Sequence, residues 1–305
     1  QAVQNVNGEI FANLKDMLVT DQIAIDEQLI ALDGTPNKDR LGANAILGVS
    51  LAVARAGAAA THQPLYQYIR EVMSILDRAY IMSYPMMNIL NGGRHAHTKV
   101  QVQEFMIVPQ IKTNGITDIV ACVQAGEKVF TKLGEVLKSY GQITTLGDEG
   151  GYAADIPSVT QVLQYVTEAI IQAGFTPGKE VSLALDVAAS EFFKDGIYEF
   201  DGKNLQASDL IKMYQEWQKE FPIISIEDGL AEDDWKGWEV LTSKLGDKIM
   251  LVGDDLFVTN KDRLQKGIDS GVANAILVKV NQIGTLTETV VTVKLAQSNG
   301  YNTII

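Results

Sequence analysis

A single cysteine, few basic residues and the lack of any long uncharged apolar run narrow what this chain of 305 residues can be. The lone Cys122 rules out an internal disulfide framework and suits a reducing compartment. It lies in DIVACVQAGEKVF, whose apolar spacing is helical, so it reads as a small core residue rather than a nucleophile. Lysine and arginine number 25 against 38 acids, which leaves a net charge of −13. With no basic cluster to offset it, that balance argues against direct nucleic-acid binding. The acids are scattered rather than gathered in a tail, so most belong to a solvated surface. No uncharged apolar stretch reaches the roughly 18 residues of a transmembrane segment, and no signal peptide opens the chain. What is present is ample apolar material: hydrophobic residues make up 46%, enough for one large domain or two ordinary ones. The chain opens QAVQNVNGEI without an initiator Met and stops inside the apolar YNTII, so it is expected to be truncated at both ends.

Two regions differ in pattern. Residues 1–77 read as helical throughout. In DQIAIDEQLIALDGT, Asp21 is placed to cap a helix and Gly34 to stop it. LGANAILGVSLAVARAGAAA is rich in small residues suited to close helix packing, and Pro64 opens PLYQYIREVMSIL. From residue 78 onward, short apolar runs alternate with amphipathic segments. The runs are PMMNILNGG, QEFMIVP, QITTLGDEGG, VSLALDVAAS, FPIISIEDG, KIMLVGDDL, ANAILVKVN and YNTII. The helical patterns between them include two whose starts fall near Ser208 and Thr259, both good capping residues. Continuously apolar strands joined by helices imply a parallel sheet buried on both faces. Eight strand candidates fit a closed α/β barrel better than an open doubly wound sheet, and no G-x-G-x-x-G follows the first strand.

In such a barrel the active site lies at the carboxyl ends of the strands. LALD ends on Asp186, ISIED on Glu227 and Asp228, LVGDD on Asp254 and Asp255, and ILVK on Lys279. Any one acid reads most simply as a helix cap or a solvated turn; acids on successive strands, followed by a lysine, do not. Converging carboxylates repel unless something positive joins them. Oxygen donors without a His/Cys cluster favour a hard cation, Mg²⁺ before Zn²⁺. A lysine beside that cation could have its pKa lowered and serve as a base. Earlier rim segments add His95 in NGGRHAH, Gln103 and Glu104 in QVQEF, and Asp148 and Glu149 in LGDEGG, the last two read as the end of a third strand. The residues thus point to a Mg²⁺-dependent lyase or isomerase that removes a proton next to a carboxylate.

The segments LDGTPNKDRLGANAILGVSLA, NILNGGRHA, QEFMIVP, GDEGGYA, LDVAASEF, SIEDGLAEDDW, VGDDLFVTN and LVKVNQIGTLTET, in this order, resemble enolase (phosphopyruvate hydratase) of a bacterial type, over essentially the whole chain. The resemblance implies an α/β fold, an enolase-type (β/α)8 barrel with a ββαα(βα)6 order whose last units are missing. The barrel would occupy residues 78–305, after the helical remainder of a small N-terminal α+β domain at 1–77 that lacks its leading strands. It implies reversible dehydration of 2-phosphoglycerate to phosphoenolpyruvate in glycolysis and gluconeogenesis. Asp186, Glu227 and Asp254 would be the Mg²⁺ ligands, Lys279 the base at C2 and Glu149 the acid that expels the C3 hydroxyl, with Glu104 beside it. His95, Gln103, Glu104 and Lys279 would contact the substrate. It further implies a cytoplasmic homodimer, or an octamer of dimers, with a secondary cell-surface or secreted pool and degradosome-type partners. The family's Ser-bearing loop and its S-H-R-S-G-E-T phosphate segment would lie outside these residues, so the chain by itself is expected to be weakly active or inactive. The sequence departs from the family at His97-Thr98, at Ala154-Asp155 in place of Pro-Asn, and at Asp39. The alternatives are a non-catalytic binding or scaffold role of an enolase, or another lyase of the same superfamily.

Overall fold

Side-chain caps start most of the helices where the sequence offers them. The computed structural model describes residues 1–75, 79–93, 98–110, 118–147 and 149–305. The chain divides into two units, one of Gln1–Tyr80, Phe257–Ile268 and Ile276–Ile305, the other of Ile81–Leu256 and Asp269–Ala275.

The first unit opens with α1 (Ala2–Asn5), which runs through a wider π turn at Val6–Ile10 into α2 (Phe11–Leu14). Next comes α3 (Gln22–Asp33), where the Asp21 carboxylate accepts the Ala24 N–H and Gly34 ends the helix in the left-handed region. Then α4 (Ala43–Ala60) and α5 (Leu65–Val72) follow, the latter directly after Pro64. By length and composition α4 could cross a membrane. It carries Arg55, however, and buries Ala45 and Ile46 in a cluster with Ile10, Ile25, Leu29 and Leu41. Further along α4, Ala54 joins Met73, Leu286 and Val290 in a second cluster. Small side chains let neighbouring helices approach α4 closely; Gly57, for example, lies against the Tyr68 ring.

The second unit carries β1 (Met87–Asn91), β2 (Glu104–Pro109), α6 (Ile119–Ser139), α7 (Val159–Gln172) and β3 (Val181–Asp186). A small antiparallel sheet follows, of β4 (Phe193–Lys194), β5 (Ile197–Phe200) and β6 (Lys203–Leu205). After it come α8 (Ala207–Glu220), β7 (Ile223–Glu227), α9 (Trp235–Leu245) and β8 (Met250–Gly253). Then α10 (Lys261–Ser270), β9 (Ala275–Leu277), the single turn α11 (Val280–Ile283), α12 (Leu286–Ser298) and β10 (Asn302–Ile304) complete the order. Cys122 is a buried residue of α6 packed beside Ala125, as its helical spacing predicts.

Two expectations need correction. The strand pattern alone implied a parallel sheet, but β1 with β2 and β2 with β3 run antiparallel, whereas β3 with β7 and β7 with β8 are parallel. Apolar runs do not encode direction, and the ββαα opening implied by the resemblance accounts for the pairing. The third strand candidate, QITTLGDEGG, forms no strand among its described residues. It makes isolated bridges instead, Tyr152 pairing with both Leu90 and Leu146. The Ser208 and Thr259 regions do open α8 and α10 with capping chemistry, supplied by neighbouring side chains. Gln206 closes a capping box with Asp209 on α8, and Asn260 accepts the Asp262 and Arg263 N–H groups on α10.

Candidate active site

The second unit's sheet carries one row of polar residues across four adjacent strands. Asn91 pairs with Glu104, Glu104 with Asp186, and Asp186 with Glu227 in the Cα register. Glu104 reaches this rim because β2 is antiparallel: its first residue lies where β3 and β7 end. Asp254 directly follows β8, and Asp228 directly follows β7.

Asp186, Glu227, Asp228 and Asp254 are all buried. Ligand atoms of Asp186, Glu227 and Asp228 lie within 4.8 Å of one another, and so do those of Asp228, Asp254 and Asp255. At that spacing a pair of ionised carboxylates repels by roughly 3–4 kcal/mol at an effective dielectric of about 20. Burial first, then the charges of Asp186, Asp228, Asp254 and Glu104, push the Glu227 carboxyl well above its ordinary range. Burial and Asp186 do the same to Asp228, against the opposing effect of its hydrogen bond from Asp255. A buried set of oxygen donors whose protons are held by mutual repulsion can take up a metal ion, which would relieve that repulsion.

The carboxylates are held in place. Asp186 accepts the Ala188 N–H on Oδ1 (3.0 Å) and the Gln103 amide on Oδ2 (2.8 Å). The amide of Gln103, a residue expected at the substrate, orients Asp186. Asp228 accepts from the backbone N–H groups of Asp254 and Asp255, while its own N–H donates to the Val252 carbonyl. Its carbonyl accepts the Ala189 N–H, so one residue ties the ends of β3, β7 and β8 together. It does so with φ at 41°, a left-handed backbone that costs a non-glycine residue roughly 1–2 kcal/mol. Sequence reasoning placed Asp228 at a strand end but gave it no role. The doubled acids in SIEDG and VGDDL were the available signal.

Asn91 is a second residue that was missed. It is fully buried, and neither amide atom has a hydrogen-bond partner among the described residues. Gly151 lies against it: a Cβ there would sit 2.6 Å from Asn91 Oδ1 and 2.8 Å from the Leu90 nitrogen. This is why the acid pair of GDEGG is set in glycine; the returning loop needs bare backbone to reach β1. Glu149 in that loop is exposed, and its Oε2 accepts from the Asn88 amide at 3.3 Å. Asp155, one of the departures from the family pattern, pairs with Lys99 at 3.2 Å. His95 and Asp148 lie outside the described residues.

In the first unit, Lys279 is exposed at the start of α11, and its N–H donates to the Thr259 hydroxyl at 2.9 Å.

A family model described as "Enolase, C-terminal TIM barrel domain" matches residues 79–305, and one described as "Enolase, N-terminal domain" matches 1–69. This chain belongs to the enolase family. As an enolase-family chain it is a lyase of that superfamily, and its buried acids stand on the barrel strands β3 and β7 and just past β8.

Proposed function

We propose that the protein interconverts 2-phosphoglycerate and phosphoenolpyruvate. The observation that carries this reading is the row of Glu104, Asp186 and Glu227 at one level of the sheet, with Asp254 beside it, in a chain of the enolase family. Asp186, Glu227 and Asp254 would hold Mg²⁺. The donor set suits it, because every donor is oxygen and converging carboxylates favour a hard cation; the close groupings are Asp186, Glu227 and Asp228, and Asp228, Asp254 and Asp255. When bound, Mg²⁺ supplies positive charge that stabilises the second negative charge developing on the substrate carboxylate.

The chain's own residues do the rest. The Lys279 amine takes the proton from C2, which is barely acidic and therefore needs a positioned base. Hydroxide is a poor leaving group, so a Glu149 carboxyl donates a proton to the departing C3 oxygen, with Glu104 beside it. Gln103 keeps Asp186 in its ligating rotamer, and Asp228 keeps the Asp254 backbone in register. Burial of the carboxylate row excludes water from the ends of β3 and β7.

The test is dehydration of 2-phosphoglycerate by the protein with Mg²⁺ present. Turnover that Lys279→Ala abolishes is the expected result. No turnover with Mg²⁺ present would overturn the reading.

A further inference from the structure

The turn that carries Lys279 is held on both sides by buried polar side chains within the first unit. On one side stands Thr259, fully buried. Its hydroxyl accepts the Lys279 N–H at 2.9 Å and donates to Gln282 Oε1 at 3.1 Å. The Thr259 carbonyl in turn accepts from the Thr292 hydroxyl on α12 at 3.0 Å.

On the other side stands Lys38, from the loop between α3 and α4. It is only 5% exposed, far more buried than a lysine normally is, and its backbone is left-handed at φ 56°. Burying an ammonium is costly unless it is paired. Its partner is Glu288 on α12, at 2.9 Å, whose other carboxylate oxygen accepts from the Thr285 hydroxyl at 2.6 Å. The Lys38 stem lies against Gly284, the residue that ends α11 at φ 100°. A Cβ on Gly284 would come within 2.9 Å of Lys38 Cδ, so glycine is required there by both backbone and space.

The same helices secure the start of α12. Leu286 N–H donates to Ser50 Oγ on α4, and Thr287 N–H donates to Asp26 Oδ2 on α3, each at 3.0 Å. Glu288 N–H donates to Thr285 Oγ1 at 3.2 Å. Three N–H groups that a helix start leaves without intrahelical partners are thus met by side chains, two of them from the N-terminal helices. Only five residues separate Lys279 from Thr285, and both ends of that stretch are anchored.

We propose that Lys38 is a positioning residue for Lys279. Its ion pair with Glu288 and its contact with Gly284 hold the α11 turn, and so fix where the Lys279 amine stands. This rests on Lys279 being the base of the proposed reaction. It assigns to a residue of the N-terminal helical region a role in the geometry of a residue far along the chain.

Lys38→Met keeps most of the stem and removes the charge. Two readouts apply: kcat and KM for dehydration, and the labelling rate of the Lys279 amine by acetic anhydride, followed by mass spectrometry. Because a small displacement of a reacting group is expensive, kcat should fall by about tenfold or more with KM within about twofold, and Lys279 labelling should change by about threefold. Lys38→Arg should restore most of both. Glu288→Gln breaks the ion pair from the other end and should shift both readouts in the same direction; it also serves if Lys38→Met does not fold. A lower Tm with unchanged kcat and unchanged Lys279 labelling would overturn the proposal and leave Lys38 a purely structural residue. A labelling shift in a protein with no turnover would uphold the positioning and sink the proposed reaction instead.

Discussion

Asp228 accepts the N–H of Asp254 on one carboxylate oxygen at 3.1 Å and the N–H of Asp255 on the other at 2.8 Å. One carboxylate thus sets the backbone of the neighbouring strand end, where a proposed metal ligand begins. An amide in its place keeps one acceptor and presents a donor to the second N–H. Asp228→Asn should therefore lower Mg²⁺ affinity by roughly 10–100-fold, the usual loss when an outer partner of a ligand is removed. Isothermal calorimetry on a variant with unchanged circular dichroism measures this; unaltered affinity would show that Asp228 does not position Asp254.

The raised carboxyls make stability depend on pH with a definite sign. Glu227 and Asp228 have reference values of 4.5 and 3.8, and both stand well above them in the folded chain. The folded state therefore binds more protons than the unfolded state above that range. Their stabilising contribution is complete below the reference values and is lost as pH rises through the folded values. Without metal, the melting temperature should fall as pH rises above the ordinary carboxylate range. Added Mg²⁺ should raise it most at the upper end; a hundredfold excess over Kd adds about 2.7 kcal/mol of stability. Calorimetric melts with Mg²⁺ and with chelator test this, and a metal-free melting temperature that climbs over the same pH rise would contradict it.

Gly151→Ala should destabilise by roughly 1–3 kcal/mol, because the added methyl meets Asn91 and the Leu90 backbone rather than flexible side-chain ends. Gly48, inside α4, is the counter-case: nothing lies within 4 Å of a Cβ there. Gly48→Ala should stabilise by up to about 1 kcal/mol through helix propensity alone. Urea titration of both variants measures the difference; equal effects would mean that the close approach at Gly151 is not real in solution.

Glu149→Gln removes the proposed proton donor but keeps a hydrogen-bond acceptor for Asn88. Dehydration should slow by about 10²-fold or more, the scale of general acid catalysis, while exchange of the C2 proton survives better. Solvent deuterium incorporation set against product formation separates the two. Equal loss of both would mean that Glu149 is not the acid.

Much of this was legible in the chain. Asp21, Gly34 and Cys122 do what their local patterns predict, because capping, stopping and burial on one helix face depend on residues only a few positions apart. Seven of the eight apolar runs are strands, and Asp186 and Glu227 stand at strand ends because those runs stop on charge. The eighth run was misread because β-prone residues reveal propensity, not pairing. QITTL joins its neighbours through Tyr152 and a tight glycine loop.

By itself, then, the sequence determined most of the helices and strands, and that Asp186 and Glu227 end two of the strands. Short-range physics decides those matters, and short-range physics is written in neighbouring residues. Only the tertiary structure decided the antiparallel turn of β2 that brings Glu104 level with Asp186, and the two N–H groups that make Asp228 a brace. The pairing of Lys38 with Glu288 is of the same kind, since those residues are 250 positions apart. A hydrogen bond or ion pair of that reach is set by strand direction and helix packing, and no periodicity along the chain records it.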